Sequence, residues 1–307
     1  MFFYGRSCSI VLVQCGSQRI TDFWRYACYN HLACVSIDDA LRKIIPDEAH
    51  VVYYKMFIKC GEYEISHIST HSDSFYNHRN CGIEMIGDNE TTIIDKSNQS
   101  NKYVIQCAKY FTMYNITFCG IELEIFGAYT FIPCTLNVNI SNCIFNQSTL
   151  VLHNVKNAVI VGCNFNGNDP LNIEMCDISP EMNYTIKDNI FKSDINNDGD
   201  TCIIFNGILN SSSTINIINN IISHYKTLCW IDENASILFK NNHISNIKSC
   251  IYAWVDWSGG NGSVIIFNNN IFDNVKNVYE SDGRIAKLEL CDSNTYIDCG
   301  PELTRFN

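Results

Sequence analysis

The chain has 307 residues, 46% of them hydrophobic, which is enough apolar side chain for a substantial core. Its formal net charge of −11 argues against a nucleic-acid backbone as a partner. The sequence contains no apolar run of the roughly 18 residues that a membrane-spanning helix needs, so a membrane is not an expected partner either.

Residues 1–48 have a different residue pattern from the remainder of the chain, and this pattern predicts a helical N-terminal cap. Segments 21–27 and 37–45 look helical, and they precede the first strand-like segments. A cap is expected here because the first coil of an open repeat exposes its core and its strand edges. At the other end, residues 301–307 are predicted to form a C-terminal tail.

Residues 49–300 contain a pattern that recurs about every 25 residues. In each copy an apolar residue is followed by a pair rich in Asn, Asp or Cys, and then by Ile or Phe. The first residue of that pair falls at positions 115, 142, 162, 188, 219, 241, 269 and 292. Branched residues recur at every second position beside these pairs, which is typical of short β-strands.

A unit of this length cannot bury its own core, so the copies are expected to stack. Short strands that stack in this way close as a parallel β-helix, in which successive coils lie about 4.8 Å apart. Phe145 should then lie over Phe165 in an internal stack, and Asn219 over Asn241 in a ladder of amides at a turn. Asn suits such a turn because it tolerates left-handed backbone. The unequal steps predict that insertions lie in loops on one side.

The N-terminal third adds a resemblance to a known family. A short helical segment at 36–41 is followed by a strand with Gly-x-Tyr at 57–65, a strand with Ile-Gly at 83–89, where the superfamily has Ile-x-Gly, and a strand with Thr-x-Ile at 92–95. This order resembles the opening of the pectin-lyase-like superfamily, and the likeness extends over residues 36–300. The resemblance implies a single-stranded, right-handed parallel β-helix, an all-β solenoid, with a helical N-terminal cap over 1–48.

The commonest enzyme role in that superfamily is catalysis on acidic polysaccharide, for which this chain lacks the expected residues. Such chemistry needs a base and cations that neutralise the uronate carboxylate. No arginine occurs between residues 80 and 283, and lysine is sparse and is not expected to recur in register. The one adjacent pair of aspartates, Asp38 and Asp39, falls in the predicted cap helix. The sequence therefore favours a non-catalytic protein.

An aromatic segment provides the candidate ligand-binding site. Trp254 and Trp257 stand beside a glycine-rich turn at 258–262, and Trp230 and Tyr252 would extend the patch from neighbouring coils. Sugars stack on exposed aromatic faces, and protein partners also anchor there. The competing interpretation is an ordinary loop that folds over the solenoid and buries its own tryptophans.

A second segment matches the first half of a calcium-binding loop. Asp194, Asn196 and Asp198 stand at alternate positions, followed by a glycine and Asp200. The twelfth position is Phe205, where such loops need a glutamate, so the simpler interpretation is a polar turn between strands. No cofactor is expected, and Ca²⁺ in a non-standard loop is the one exception considered.

Cysteine usage bears on the compartment. The chain has 17 cysteines, an odd number without the spacing of a disulfide scaffold, and several fall at strand positions within the repeat. Such residues act as small buried apolar groups, so reduced thiols are expected. The first apolar stretch, residues 10–13, is too short for the core of a signal peptide. A cytoplasmic or virion setting is therefore favoured over secretion.

These observations leave three functions open. The leading hypothesis is a non-catalytic binding or structural module that recognises a glycan or a protein surface. The first alternative is a polysaccharide lyase or glycosidase with an unusual carboxylate set drawn from Asp194, Asp198, Asp200 and Asp256. The second alternative is a structural component of a virus particle or fibre, which would form a homo-oligomer or a heteromeric assembly.

Overall fold

The structure is a computed structural model that describes residues 10–15, 28–34, 36–37, 40, 52–64, 81–94, 102–107, 109–127, 136–174, 181–193, 200–206, 213–231, 236–253, 261–281 and 285–304. It is all-β, with 73% strand and 2% helix. A parallel β-helix accounts for nearly all of it, so the predicted fold class is confirmed.

The strands follow one another through the whole described chain. In the first half they are β1 (Ile10–Cys15), β2 (Cys28–Cys34), β3 (Val52–Ile58), β4 (Gly61–Glu64), β5 (Cys81–Ile94), β6 (Lys102–Gln106), β7 (Tyr110–Cys119), β8 (Glu122–Phe126), β9 (Asn137–Ser141), β10 (Ile144–Asn146), β11 (Thr149–His153), β12 (Asn157–Val161) and β13 (Asn164–Asn166). In the second half they are β14 (Leu171–Glu174), β15 (Asn183–Lys187), β16 (Ile190–Lys192), β17 (Thr201–Asn206), β18 (Thr214–Ile218), β19 (Ile221–Ser223), β20 (Thr227–Ile231), β21 (Ser236–Lys240), β22 (His243–Ala253), β23 (Asn261–Asn268), β24 (Ile271–Ser281), β25 (Ile285–Leu290) and β26 (Thr295–Ile297). A short helix, α1 (Pro301–Thr304), follows the last strand.

Each coil contributes three strands, and each strand pairs in parallel with its equivalents in the coils before and after. Thus β12 pairs with β9 and β15, β13 with β10 and β16, and β14 with β11 and β17. We call the faces that contain β12, β13 and β14 sheet 1, sheet 2 and sheet 3. The long strand β7 turns the corner from sheet 1 to sheet 2, and β22 and β24 turn the corner from sheet 2 to sheet 3.

The predicted phenylalanine column runs along the inside of sheet 2. Phe145 pairs directly with Phe118 and Phe165, and its ring centroid lies 5.3 Å and 4.7 Å from theirs. Phe165 and Phe191 stack with their centroids 4.6 Å apart. These rings are fully buried, as the predicted registry requires. Ile222, Ile244, Phe272 and Tyr296 continue the column to the C-terminal end.

The asparagine column forms the corner between sheets 1 and 2, and its backbone is left-handed as predicted. The φ angles are 58° at Asn115, 53° at Asn142, 65° at Gly162, 56° at Asp188, 55° at Asn219, 56° at Asn241 and 55° at Asn269. Asn241 Nδ2 donates to Asn219 Oδ1 at 3.2 Å, and Asn269 Nδ2 donates to Asn241 Oδ1 at 2.8 Å. The predicted amide ladder along the axis is therefore confirmed.

A second ladder, which the sequence analysis did not separate from the first, lies inside the same corner. It consists of the buried residues Asn189, Asn220, Asn242, Asn270 and Asn294. Each of the later four side chains accepts hydrogen bonds from the backbone and side-chain amides of the residue one coil earlier. In the preceding coils Cys143 and Cys163 occupy this position. The two residues of each pair therefore have different roles. The first adopts the left-handed backbone of the turn, and the second, where it is Asn, hydrogen-bonds the polar groups buried at the corner.

The last copy of the repeat is shifted by one residue from its predicted position. Ser293, rather than Asp292, aligns with Asn269, whose backbone N–H donates to Ser293 Oγ at 2.9 Å. Five steps separate Leu290 from Thr295, whereas four separate their partners in the previous coil. The additional residue in this turn allows Asn294 to end the buried ladder.

Insertions lie mainly on one side, as the unequal steps predicted. The connection from sheet 3 to the next sheet 1 ranges from three residues between β11 and β12 to ten between β8 and β9. By contrast, the connection from sheet 1 to sheet 2 has two residues in each of four coils, between β9 and β10, β12 and β13, β15 and β16, and β18 and β19. Two exceptions lie at the corner between sheets 2 and 3: the connection from β5 to β6, and the connection from β16 to β17, which contains the predicted calcium-loop segment.

The two ends of the solenoid are covered by different elements. Within the described residues, helix is present at Ile37 and at Ala40, whose N–H donates to the Ser36 carbonyl at 3.1 Å. By contrast, β1 and β2 are strands, and β1 pairs antiparallel with β2 and β3. A strand here supplies backbone partners for the open edge of sheet 1, which a helix would not do. Segment 21–27 lies outside the described residues. At the C-terminus Leu303 of α1 is fully buried in the core, so the described part of the predicted tail, residues 301–304, packs on the solenoid.

Candidate functional site

The outer face of sheet 3 brings together polar, charged and aromatic side chains from successive coils. Alternate residues of its strands stack outward because a strand turns successive side chains to opposite faces. One outward column consists of Val104, Glu124, Val151, Asn172, Ile204, Trp230 and Tyr252. The next consists of Phe126, His153, Glu174 and Asn206. We call these two columns, with Lys102 and Glu122, the sheet 3 face.

A charged cluster occupies the N-terminal end of the sheet 3 face. Lys102 Nζ lies 2.9 Å from Glu122 Oε1 and 2.7 Å from Glu124 Oε1. Burial favours the neutral form of Glu124, but the neighbouring His153 and Lys102 outweigh it and hold its pKa at about 2. Hydrogen bonds to both carboxylates raise the pKa of Lys102 further above its usual value. Both groups therefore remain charged at neutral pH.

His153 lies between two carboxylates that come from the coils on either side of it. Its Nδ1 lies 2.9 Å from Glu174 Oε2, and its Nε2 lies 3.9 Å from Glu124 Oε1. The imidazole stacks on Phe126 with ring centroids 3.8 Å apart and planes 13° from parallel. Nε2 is buried and has no hydrogen-bond partner. Among the described residues, Glu174 and Phe126 therefore hold the ring in one orientation, with Nε2 directed at Glu124 beyond hydrogen-bonding distance.

Amide side chains continue the polar surface towards the C-terminus. Asn172 Nδ2 donates to Glu174 Oε1 at 2.8 Å, and Asn206 Nδ2 donates to Asn172 Oδ1 at 3.3 Å. Each of these amides is half-buried and retains further hydrogen-bonding capacity. The middle of the sheet 3 face can therefore both donate hydrogen bonds to a ligand and accept them from it.

The aromatic end of the sheet 3 face contains two of the four residues proposed for ligand binding. Trp230 and Tyr252 are direct partners in adjacent coils, with ring centroids 4.7 Å apart and planes inclined by 42°. Both side chains are half-buried on the outer face. Trp254 and Trp257 lie outside the described residues. Four coil steps separate Trp230 from Glu124, a distance of about 19 Å along the axis.

Of the four aspartates proposed for catalysis, the structure describes Asp200. It lies at the corner between sheets 2 and 3, where its Oδ2 accepts a hydrogen bond from Ser193 Oγ at 2.8 Å. Nearby, Asp169 Oδ1 accepts one from the Thr201 backbone N–H at 2.7 Å. Burial raises the pKa of both carboxyls, and the charge of Asp200 contributes to the shift at Asp169. Asp194, Asp198 and Asp256 lie outside the described residues.

The calcium-loop prediction is likewise represented by Asp200 alone, because Asn196 is also outside the described residues. Across the described ranges, no three His, Cys, Asp or Glu side chains are grouped in a way that could hold a metal ion. Calcium in this loop therefore remains a prediction from the sequence.

Lysine recurs in register, contrary to the expectation from the sequence. Lys226, Lys248 and Lys276 occupy the same corner position in three successive coils, since the residues that follow them pair directly. All three side chains are exposed. The corner repeats a left-handed residue, a buried apolar residue and then lysine. The asparagine pairs mark the corner between sheets 1 and 2, whereas the lysines lie at the next corner, between sheets 2 and 3. The asparagine pattern therefore did not reveal the alignment of the lysines.

The sequence analysis also missed the cluster around His153. The available signal was alternation with leucine and isoleucine within Glu122–Phe126 and Thr149–His153, and the equal distance of these two strands from the Phe column aligns them. Glu174 could not be aligned in the same way, because a longer corner precedes its strand.

Two further findings concern the chain as a whole. None of the described helical segments is long and apolar enough to cross a membrane. Comparison of the chain with family models, with curated proteins and with solved structures finds no match, so the interpretation of the sheet 3 face depends on its own geometry.

Proposed function

We propose that this chain is a non-catalytic β-helix of the pectin-lyase-like type that binds a glycan along the sheet 3 face. The order of its opening motifs supports the family assignment: β4 contains the Gly-x-Tyr motif, and β5 contains Ile86-Gly87, in place of the superfamily's Ile-x-Gly, and then the Thr-x-Ile motif. The observation that carries the functional proposal is the pairing of Trp230 with Tyr252 on the outside of sheet 3.

Adjacent aromatic rings suit a sugar because their flat faces pack on the apolar faces of pyranose rings. One coil step separates Trp230 from Tyr252, a spacing similar to the length of one pyranose residue. Asn172, Asn206 and Glu174 lie beyond them on the same face and offer partners for hydroxyl groups. A linear glycan would therefore lie parallel to the solenoid axis.

The charge state of the cluster favours binding over glycoside hydrolysis. A general acid must keep its proton near neutral pH, which requires a raised pKa. The pKa of Glu124 is instead lowered to about 2, and Lys102 neutralises its charge. Glu124 is therefore suited to holding the cluster together and not to proton donation.

A glycan screen on the purified chain, followed by calorimetry on the best oligosaccharide, tests the proposal. We expect Trp230→Ala and Tyr252→Ala each to weaken binding about tenfold, which corresponds to ~1.4 kcal/mol. Tyr110→Ala is the matched control, because Tyr110 is an exposed aromatic residue on sheet 1. Binding that survives both sheet 3 substitutions, or cleavage of the bound glycan, would contradict the proposal. Failure of every glycan to bind would favour a protein surface as the partner.

One observation favours a polysaccharide lyase as a second candidate. The exposed column of Lys226, Lys248 and Lys276 borders the coils of Trp230 and Tyr252, and lysine can neutralise a uronate or act as a base. Incubation with polyuronates distinguishes this candidate, since a lyase releases unsaturated products that absorb ultraviolet light. Loss of that activity in Lys248→Ala, with retained binding, would support catalysis.

A further inference from the structure

An exposed column of isoleucines runs along the outer face of sheet 2. Ile144, Ile190, Ile221 and Ile271 are respectively 37%, 43%, 49% and 41% exposed. They belong to one column because the first outward residues of the sheet 2 strands pair coil by coil. Ile190 and Ile221 are adjacent, whereas Asn164 and His243 separate them from Ile144 and Ile271. Exposed apolar patches with polar neighbours often mark interaction sites.

The order of residues in this column is nearly the same in both directions. From the N-terminal coil onwards it is Thr117, Ile144, Asn164, Ile190, Ile221, His243, Ile271, Thr295. Its centre lies between Ile190 and Ile221. A two-fold axis through that point, parallel to the strands, would place Ile on Ile, Thr on Thr and Asn164 on His243.

We propose that sheet 2 is the interface of an antiparallel homodimer, in which the isoleucine column packs against the same column of a second copy. Ile190 would face the partner's Ile221, and Ile144 would face the partner's Ile271. An interface between identical surfaces requires this kind of self-complementarity, which few exposed surfaces possess. The second copy is thus the occupant that the order of the column specifies.

The charges beside the column are compatible with this arrangement. The second outward column of sheet 2 contains Lys192 and Asp273. Under the same two-fold axis Lys192 would face the partner's Ser223, and Asp273 would face the partner's Asn146. No like charges would oppose one another, so the electrostatic cost of pairing is small.

The size of the surface is also sufficient. Seven coil steps from Thr117 to Thr295 cover about 34 Å along the axis. Sheet 2 and its corners are roughly 20 Å wide, so each subunit would bury on the order of 700 Å². This is close to the roughly 800 Å² that each partner buries in a standard interface.

Light scattering and sedimentation equilibrium on the full chain test the dimer directly. The wild type should be a dimer at micromolar concentration, and the double substitution Ile190→Lys with Ile221→Lys should raise the dissociation constant about 100-fold or more, since the new lysines would face one another. Val159→Lys is the matched control, because Val159 is 43% exposed on sheet 1. Circular dichroism verifies that each variant remains folded.

A charge-pair experiment tests the antiparallel register. Asn164 and His243 are three coils apart within one chain, about 14 Å. In the proposed dimer, Asn164→Lys combined with His243→Glu opposes unlike charges and should preserve the dimer. Asn164→Lys combined with His243→Lys opposes like charges and should dissociate it.

Three results would overturn the proposal. They are a monomeric wild type, a dimer that is insensitive to Ile190→Lys with Ile221→Lys, and equal behaviour of the two charge-pair variants. A trimer or larger assembly would also contradict it, and would favour a fibre or virion component. None of these results depends on whether sheet 3 binds a glycan.

Discussion

Asn220 Oδ1 accepts hydrogen bonds from both the backbone and the side-chain amide of Asn189, at 2.9 Å and 3.1 Å. Asn220 Nδ2 in turn donates to the Ile186 carbonyl at 2.9 Å. All of these groups are buried at a corner that water does not reach. One side chain therefore satisfies three polar groups that the fold would otherwise bury without partners.

Replacing Asn220 by Ala should destabilise the solenoid by about 3 kcal/mol, because it leaves a buried N–H and a buried carbonyl unpaired. Urea denaturation followed by circular dichroism measures the change. Asn219→Gly is the matched control, since its side chain is exposed and glycine retains the left-handed φ of 55°. Equal losses in the two variants would show that the buried ladder has no special role.

The packing around Gly87 makes a steric prediction. A Cβ on Gly87 would lie 2.1 Å from the Asn115 carbonyl oxygen, so Gly87→Ala should cost about 2 kcal/mol or more in unfolding free energy. Gly162→Asn should be tolerated, because Asn occupies the same left-handed position in other coils and the close contact there is with the Asn142 side chain. Thermal denaturation compares the two, and a stable Gly87→Ala variant would contradict the packing at this corner.

The charged cluster on sheet 3 predicts a dependence of stability on pH. The pKa of Glu124 is about 2 in the folded chain and about 4.5 without its neighbours. A lowered pKa contributes stability that is present above pH 4.5 and is lost as the pH falls towards 2. The melting temperature of the wild type should therefore fall more steeply between pH 5 and pH 3 than that of Glu124→Gln. Parallel curves for the two proteins would show that neither His153 nor Lys102 stabilises the charged form of Glu124.

Buried cysteines should differ in reactivity from an exposed one. Burial raises the pKa of Cys202, Cys229 and Cys250, and the thiolate is the reactive form. Cys60 is exposed. Alkylation of the native protein at pH 8, mapped by mass spectrometry, should modify Cys60 rapidly and the other three only after unfolding. Rapid labelling of Cys229 in the native state would show that the core opens.

Residues that repeat in every coil were predictable because their pattern is local. The left-handed corner at Asn219 and the stack of Phe145 on Phe165 both follow from a motif of six residues and its period. The separation of the two asparagine ladders was not predictable in the same way. The direction in which the corner turns decides whether the first or the second residue of each pair points inward. Two asparagines in sequence do not indicate that direction.

The arrangement of the candidate site depends on connections of unequal length. Glu124, His153 and Glu174 are separated by 29 and 21 residues, and the corners between them differ in length. A shift of one residue in a strand would turn each of these side chains to the opposite face. Their convergence is therefore a property of the pairing between β8, β11 and β14.

The amino-acid sequence by itself determined that short strands repeat, stack in parallel and turn at asparagine, because each of these features depends on neighbouring residues. Only the tertiary structure decided which side chains meet across coils: the carboxylates around His153, the lysine column, the ring of Trp230 beside Tyr252, and the antiparallel strands at the N-terminus. These contacts join residues that are distant along the chain, and hydrogen bonding between strands sets their register.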